Sequence, residues 1–114
     1  MNNPKLKLAM ARLLPEKLKL SRVHAARELF IWTDFSHDRA GHEVLETEWL
    51  YVMHLVWLTL DRKQRVAFSV HLREEVIKSG GHASSFNEDI IACCENATFN
   101  QRATAMCKVK RIEL

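Results

Sequence analysis

The amino-acid sequence predicts an all-α fold: a compact bundle of five or six helices around a central aromatic-rich helix at about 43–58. Three observations carry this expectation. Hydrophobic residues fill 47% of the 114 positions, with Gly only three times and Pro twice, which suits neither a disordered chain nor a turn-rich β fold. The run Trp49-Leu-Tyr-Val-Met-His-Leu-Val-Trp-Leu58 is nearly all apolar, yet falls well short of the about 20 apolar residues that cross a bilayer, so it reads as a buried helix or a subunit contact. Helix-start signatures punctuate the second half of the chain. The length suits a single helical domain over 1–114, enough to hide about 65% of the surface that the unfolded chain exposes.

Taken in order, Pro4 suits a first helical turn, and Lys-Leu-Lys-Leu at 5–8 runs into Ala-Met-Ala-Arg-Leu-Leu, a helix-forming string that Pro15 interrupts. Residues 1–20 thus form a basic arm or a short helix packed on the domain. A second Lys-Leu-Lys-Leu at 17–20 alternates as a strand does, but reads as an irregular turn before Ser21, which caps a helix carrying Val23, Ala26, Leu29, Phe30 and Trp32. Residues 33–41 make the longest polar connection. On the central helix, about 100° per residue leaves one narrow polar stripe of Glu43, Thr47 and His54, bordered by Leu50 and Trp57 on one side and by Tyr51 and Leu58 on the other.

Asp61-Arg-Lys-Gln64 opens the next helix, which Gly80-Gly81 ends. Its polar face holds Lys63, Gln64, His71, Glu74, Glu75 and Lys78; the opposite arc holds Val66, Phe68, Val70, Leu72, Val76 and Ile77 and faces the core. Arg65 and Arg73 fall inside that arc. Arg73 either answers Glu46 or Glu48 as a buried ion pair or anchors an interface. Ser85-Phe-Asn-Glu88 starts a short helix that Asn96 ends, and Thr98-Phe-Asn-Gln101 starts the last one.

Catalytic and metal chemistry find little support. Asp34, His37, Asp38 and His42 match no common zinc spacing, and His54 with Glu43 would stand about 16 Å apart along a helix, too far for an acid–base pair. Cys93, Cys94 and Cys107 read as buried small hydrophobes; their odd number and the lack of a leader point to reduced thiols in the cytoplasm. No catalytic residue, metal or cofactor is therefore expected, and no membrane span.

Charge is uneven. In residues 1–27, Lys5, Lys7, Arg12, Lys17, Lys19, Arg22 and Arg27 stand against Glu16 alone, whereas residues 28–60 hold six carboxylates against Arg39. This basic segment either folds back on the acidic middle or contacts phosphate. A nucleic-acid reading would use Lys5, Lys7, Lys17, Lys19, Arg22 and Arg27, or a degenerate helix-turn-helix at 88–109, where Glu95 and Arg102 occupy positions that want apolar residues and the turn lacks Gly.

The cap followed by Gln64-Arg65, then Gly-Gly, Ser-Ser-Phe86, Asp89-Ile-Ile and Ala97-Thr-Phe-Asn-Gln-Arg102-Ala, resembles small uncharacterised helical proteins of temperate phages and prophages over the second half of the chain. The resemblance implies a bacterial cytoplasmic setting and a regulatory or host-directed role, and it carries over no functional residue. The expected function is protein–protein contact without catalysis, as a regulator, an adaptor or a phage-type inhibitor of a host complex. A partner or a second copy would be met by Leu50, Tyr51, His54, Trp57, Leu58 and Arg73.

Overall fold

Pro4 begins helix α1 (Pro4–Arg12) because it has no amide proton to leave unpaired, and the Asn3 side chain caps the helix by accepting from the Lys5 amide at 2.9 Å. The structure, a computed structural model, describes residues 3–22, 28–34, 38–78 and 96–113. Leu6, Ala9 and Met10, spaced three and four apart, turn the buried side of α1 to the core.

The helix expected from Ser21 is replaced by a hairpin. Strands β1 (Leu18–Arg22) and β2 (Glu28–Trp32) pair antiparallel, with Leu18 opposite Trp32 and Leu20 opposite Phe30. The two-residue period explains the correction: Leu18, Phe30 and Trp32 are buried on one face while Lys19 points to solvent. The Leu-Lys alternation at 17–20 is therefore a strand, and Ser21 lies within it. Val23, Ala26 and Arg27 fall outside the described residues.

A further correction concerns the start of the central helix. The Trp32 amide donates to the His42 carbonyl at 3.0 Å and the Val44 amide to the Phe30 carbonyl at 2.8 Å, so residues 42–44 lie extended along the free edge of β2, with Glu43 bridged to Ile31. Glu43 therefore cannot begin a helix. A single 3₁₀ turn (Glu46–Glu48) leads into α2 (Trp49–Leu58), and of the expected polar stripe only His54 remains on α2.

Asp61 and Gln64 exchange hydrogen bonds as the sequence predicts: the Gln64 amide donates to Asp61 Oδ1 at 2.7 Å and the Asp61 amide to Gln64 Oε1 at 3.1 Å. They start α3 (Arg62–Lys78). Thr98 and Gln101 do the same for α4 (Phe99–Lys110), at 3.2 and 2.9 Å. Such a cap is worth about 1 kcal/mol. Among the described residues there are four α-helices and one two-stranded hairpin, not five or six helices. The helix expected from Phe86, its Ser85 cap and the Gly80-Gly81 stop lie outside the described residues.

α3 is rotated from its expected setting. Its buried residues are Phe68, Leu72, Glu75 and Val76, whereas Val66, Val70 and Ile77 are 61%, 52% and 37% exposed. Glu75, expected on the solvent face, accepts from Lys108 Nζ at 2.6 Å and so links α3 to α4. Arg73, expected within the buried arc, is exposed. Neither proposed partner answers it: Glu46 bonds Lys7 at 2.8 Å, and Glu48 stands 3.5 Å from Arg39. Trp49 sits at the centre of the core, edge-on to Phe30 at 5.2 Å and to Phe99 at 5.6 Å, and so joins hairpin, α2 and α4.

Candidate interaction surface

The apolar run is divided by its helical period. Trp49, Val52, Met53 and Val56, three and four apart, fill the core, which leaves Leu50, Tyr51, His54 and Leu58 on the outer side of α2. Leu50, Tyr51 and Leu58 are 54%, 44% and 51% exposed, His54 is exposed and Trp57 half-buried. The run is thus only half buried. His54, placed by the sequence in the polar stripe, lies in solvent.

The outer side is ordered by ring stacking. Tyr51, His54 and Trp57 recur every three residues, with centroids 6.5 Å apart for the first pair and 6.4 Å for the second, the second pair within 16° of parallel. Trp32 continues the row from the hairpin, 6.1 Å from Tyr51. At the other end the Arg65 guanidinium lies 4.0 Å from the Trp57 ring centroid, which explains how a cation placed in the first turn of α3 is accommodated. These stacks fix side chains that would otherwise lose rotamer freedom on meeting a partner.

Beside the ladder, a groove of about 660 Å³ opens between α2, α3 and the start of α4, with Met53 and Phe68 in its lining together with Leu50, His54, Trp57 and Arg102. Arg102 Nε donates to the Ala97 carbonyl at 3.0 Å, so its guanidinium is held at this rim. The sequence offered no signal for this groove, since its walls come from residues about fifty positions apart. Arg73 does not join the surface: it lies two turns along α3 from Arg65, on the solvent side of that helix.

The basic segment folds back in part on the acidic middle. Lys7 bonds Glu46 and covers the Trp49 ring at 5.3 Å; Lys17 bonds Asp34 at 3.0 Å. That hydrogen bond, with the charge of Asp34, holds the Lys17 pKa above its usual value. Lys5 and Lys19 are exposed. Arg22 lies in β1 without a described side chain, and Arg27 is outside the described residues, as are residues 88–95 of the helix-turn-helix candidate.

Of the candidate metal loop, Asp34 is engaged by Lys17, Asp38 and His42 are exposed, and His37 lies outside the described residues. Among the described residues no group of three His, Cys, Asp or Glu side chains is placed to hold a metal ion. Cys107 is buried on α4, as expected, and burial pushes its thiol pKa up; Cys93 and Cys94 are outside the described residues. No helix among the described residues is long and apolar enough to cross a membrane. Comparison with known protein families, curated proteins and solved structures returned no match.

Proposed function

We propose that this chain works without catalysis, by protein contact through the outer side of α2, as a regulator, an adaptor or an inhibitor of the kind small phage proteins provide. The observation that carries the proposal is the exposure of Leu50, Tyr51 and Leu58 on a helix whose other side closes the core. Covering the exposed part of each Leu recovers on the order of 1 kcal/mol from the hydrophobic effect. The pre-stacked rings of Tyr51, His54 and Trp57 lower the entropy lost on binding. Aromatic anchors ringed by aliphatic side chains are a common makeup of contact hot spots.

The test is Leu50→Ala with Leu58→Ala, both half-exposed and so removable without opening a cavity. The double variant keeps its helicity and urea midpoint, and it loses the self-association or the partner that wild type shows in sedimentation and affinity capture. A variant that unfolds, or one that retains the same association, overturns the reading.

Nucleic-acid binding through the basic segment is the weaker reading, because Lys7 and Lys17 already answer carboxylates of the same chain. Phosphate contacts by Lys5 and Lys19 would appear as a gel shift that weakens steeply with salt.

A further inference from the structure

We infer that the solvent side of α3 is a second docking surface, separate from α2, whose occupant is an acidic amphipathic helix of a protein partner. Lys63, Val66, Val70, Arg73 and Ile77 follow one another at intervals of three or four residues, the spacing of a coiled-coil seam. All five are exposed. At about 100° per residue they fall in one stripe, with Arg62 beside it, on the side of α3 away from Phe68, Leu72 and Glu75. Val66, Val70 and Ile77 lie between Lys63 at one edge of the stripe and Arg73 at the other, a face narrow enough for one helix to lie along it.

Charge selects the occupant. Arg62, Lys63 and Arg73 have no carboxylate partner among the described residues, while the acidic residue nearest the stripe, Glu74, lies 3.5 Å from His71. A second copy fits badly: a parallel pair sets Arg73 against Arg73, and an antiparallel pair brings Arg62 and Lys63 of one copy toward Arg73 of the other. An anionic bilayer fits less well too, because the apolar part of the stripe is three short side chains, Val66, Val70 and Ile77, with no Leu, Phe or Trp among them. A partner helix that puts a carboxylate opposite Arg73 and aliphatic residues opposite Val66, Val70 and Ile77 meets every group on the stripe.

The probe is a fluorescent helical peptide of about four heptads with Leu at the core positions, Glu at the flanking positions and one Glu within the core, set against a twin with Lys in place of each Glu. Anisotropy titration of the intact chain is expected to favour the Glu peptide by at least about tenfold, and Arg73→Glu to reverse that preference. Val70→Asp, exposed and so harmless to the fold by circular dichroism and urea midpoint, removes the binding. Leu50→Ala with Leu58→Ala leaves it intact, which separates this surface from the one on α2.

Any of five results overturns the inference: equal or absent binding of the two peptides, binding that survives Val70→Asp, binding lost with the α2 variant, sedimentation with phosphatidylserine vesicles in place of peptide binding, or a dimer that Val70→Asp makes monomeric.

Discussion

Lys108→Met tests how α3 is held against α4. The Glu75 carboxylate is 12% exposed and accepts from Lys108 Nζ at 2.6 Å, on a side chain 41% exposed. Methionine keeps the aliphatic stem and removes the charge, so the loss reports the interaction and not the packing. A hydrogen bond between charged groups is worth about 1.5–3 kcal/mol, and leaving a buried carboxylate without its partner costs a similar amount; because the Lys108 amine is part-exposed and screened by water, we expect about 1–2 kcal/mol. Urea unfolding followed by the fluorescence of buried Trp32 and Trp49 measures it.

Glu75→Met, which exchanges the carboxylate for a side chain suited to neighbours such as Leu72 and Val76, changes stability by less than about 0.5 kcal/mol or raises it. In that background Lys108→Met costs nothing further, and the cycle returns the whole 1–2 kcal/mol, about one tenfold step in the folding equilibrium, as coupling. A cost that persists in the Glu75→Met background, or one below about 0.5 kcal/mol in wild type, refutes the pairing as the tie between the helices.

Three further outcomes are expected. Hydrogen bonds from Lys108 to Glu75 and from Lys17 to Asp34 hold both lysine pKa values above the usual one, so the folded state binds these protons more tightly than the unfolded chain does; the stability they add is complete below the ordinary lysine pKa, about 10.4, and is lost as pH rises through the raised values, seen as a urea midpoint that falls only in strong alkali. Thr98→Ala removes the cap of α4 and lowers stability by about 1 kcal/mol, measured by urea titration, with Thr98→Ser nearly neutral. Cys107, buried with a raised thiol pKa, resists iodoacetamide in the native protein and reacts when urea unfolds it, which mass mapping of its peptide reports.

What could be read in the sequence was local. The caps at Asp61 and Thr98 close within three residues, and Pro4 acts on its own turn, so each helix start followed from side chains beside it. The end of α2 at Leu58 was equally plain, since the apolar run stops there, whereas its start, expected at about 43, lies at Trp49. The candidate surface was legible in part: Leu50, Tyr51, His54, Trp57 and Leu58 share α2, but Arg73 belongs to a different face, and the groove against Phe68 and Arg102 was invisible.

The misses were all non-local. Phe30 and Trp32 fit a helix by spacing, and only pairing with Leu18 and Leu20 makes them a strand; once β2 exists, its open edge draws residues 42–44 into line and takes Glu43 from the helix. On α3, two apolar lines compete, Val66–Val70–Ile77 and Phe68–Leu72–Val76, and the period of the helix cannot rank them. The sequence by itself determined the helix starts at Pro4, Asp61 and Thr98 and that Trp49–Leu58 has more apolar surface than one side can bury. Tertiary structure alone decided which side that is, because burial depends on what arrives from elsewhere in the chain: Phe99 and Phe30 against Trp49, and Lys108, thirty-three residues away, drawing Glu75 inward and turning Val66, Val70 and Arg73 to solvent.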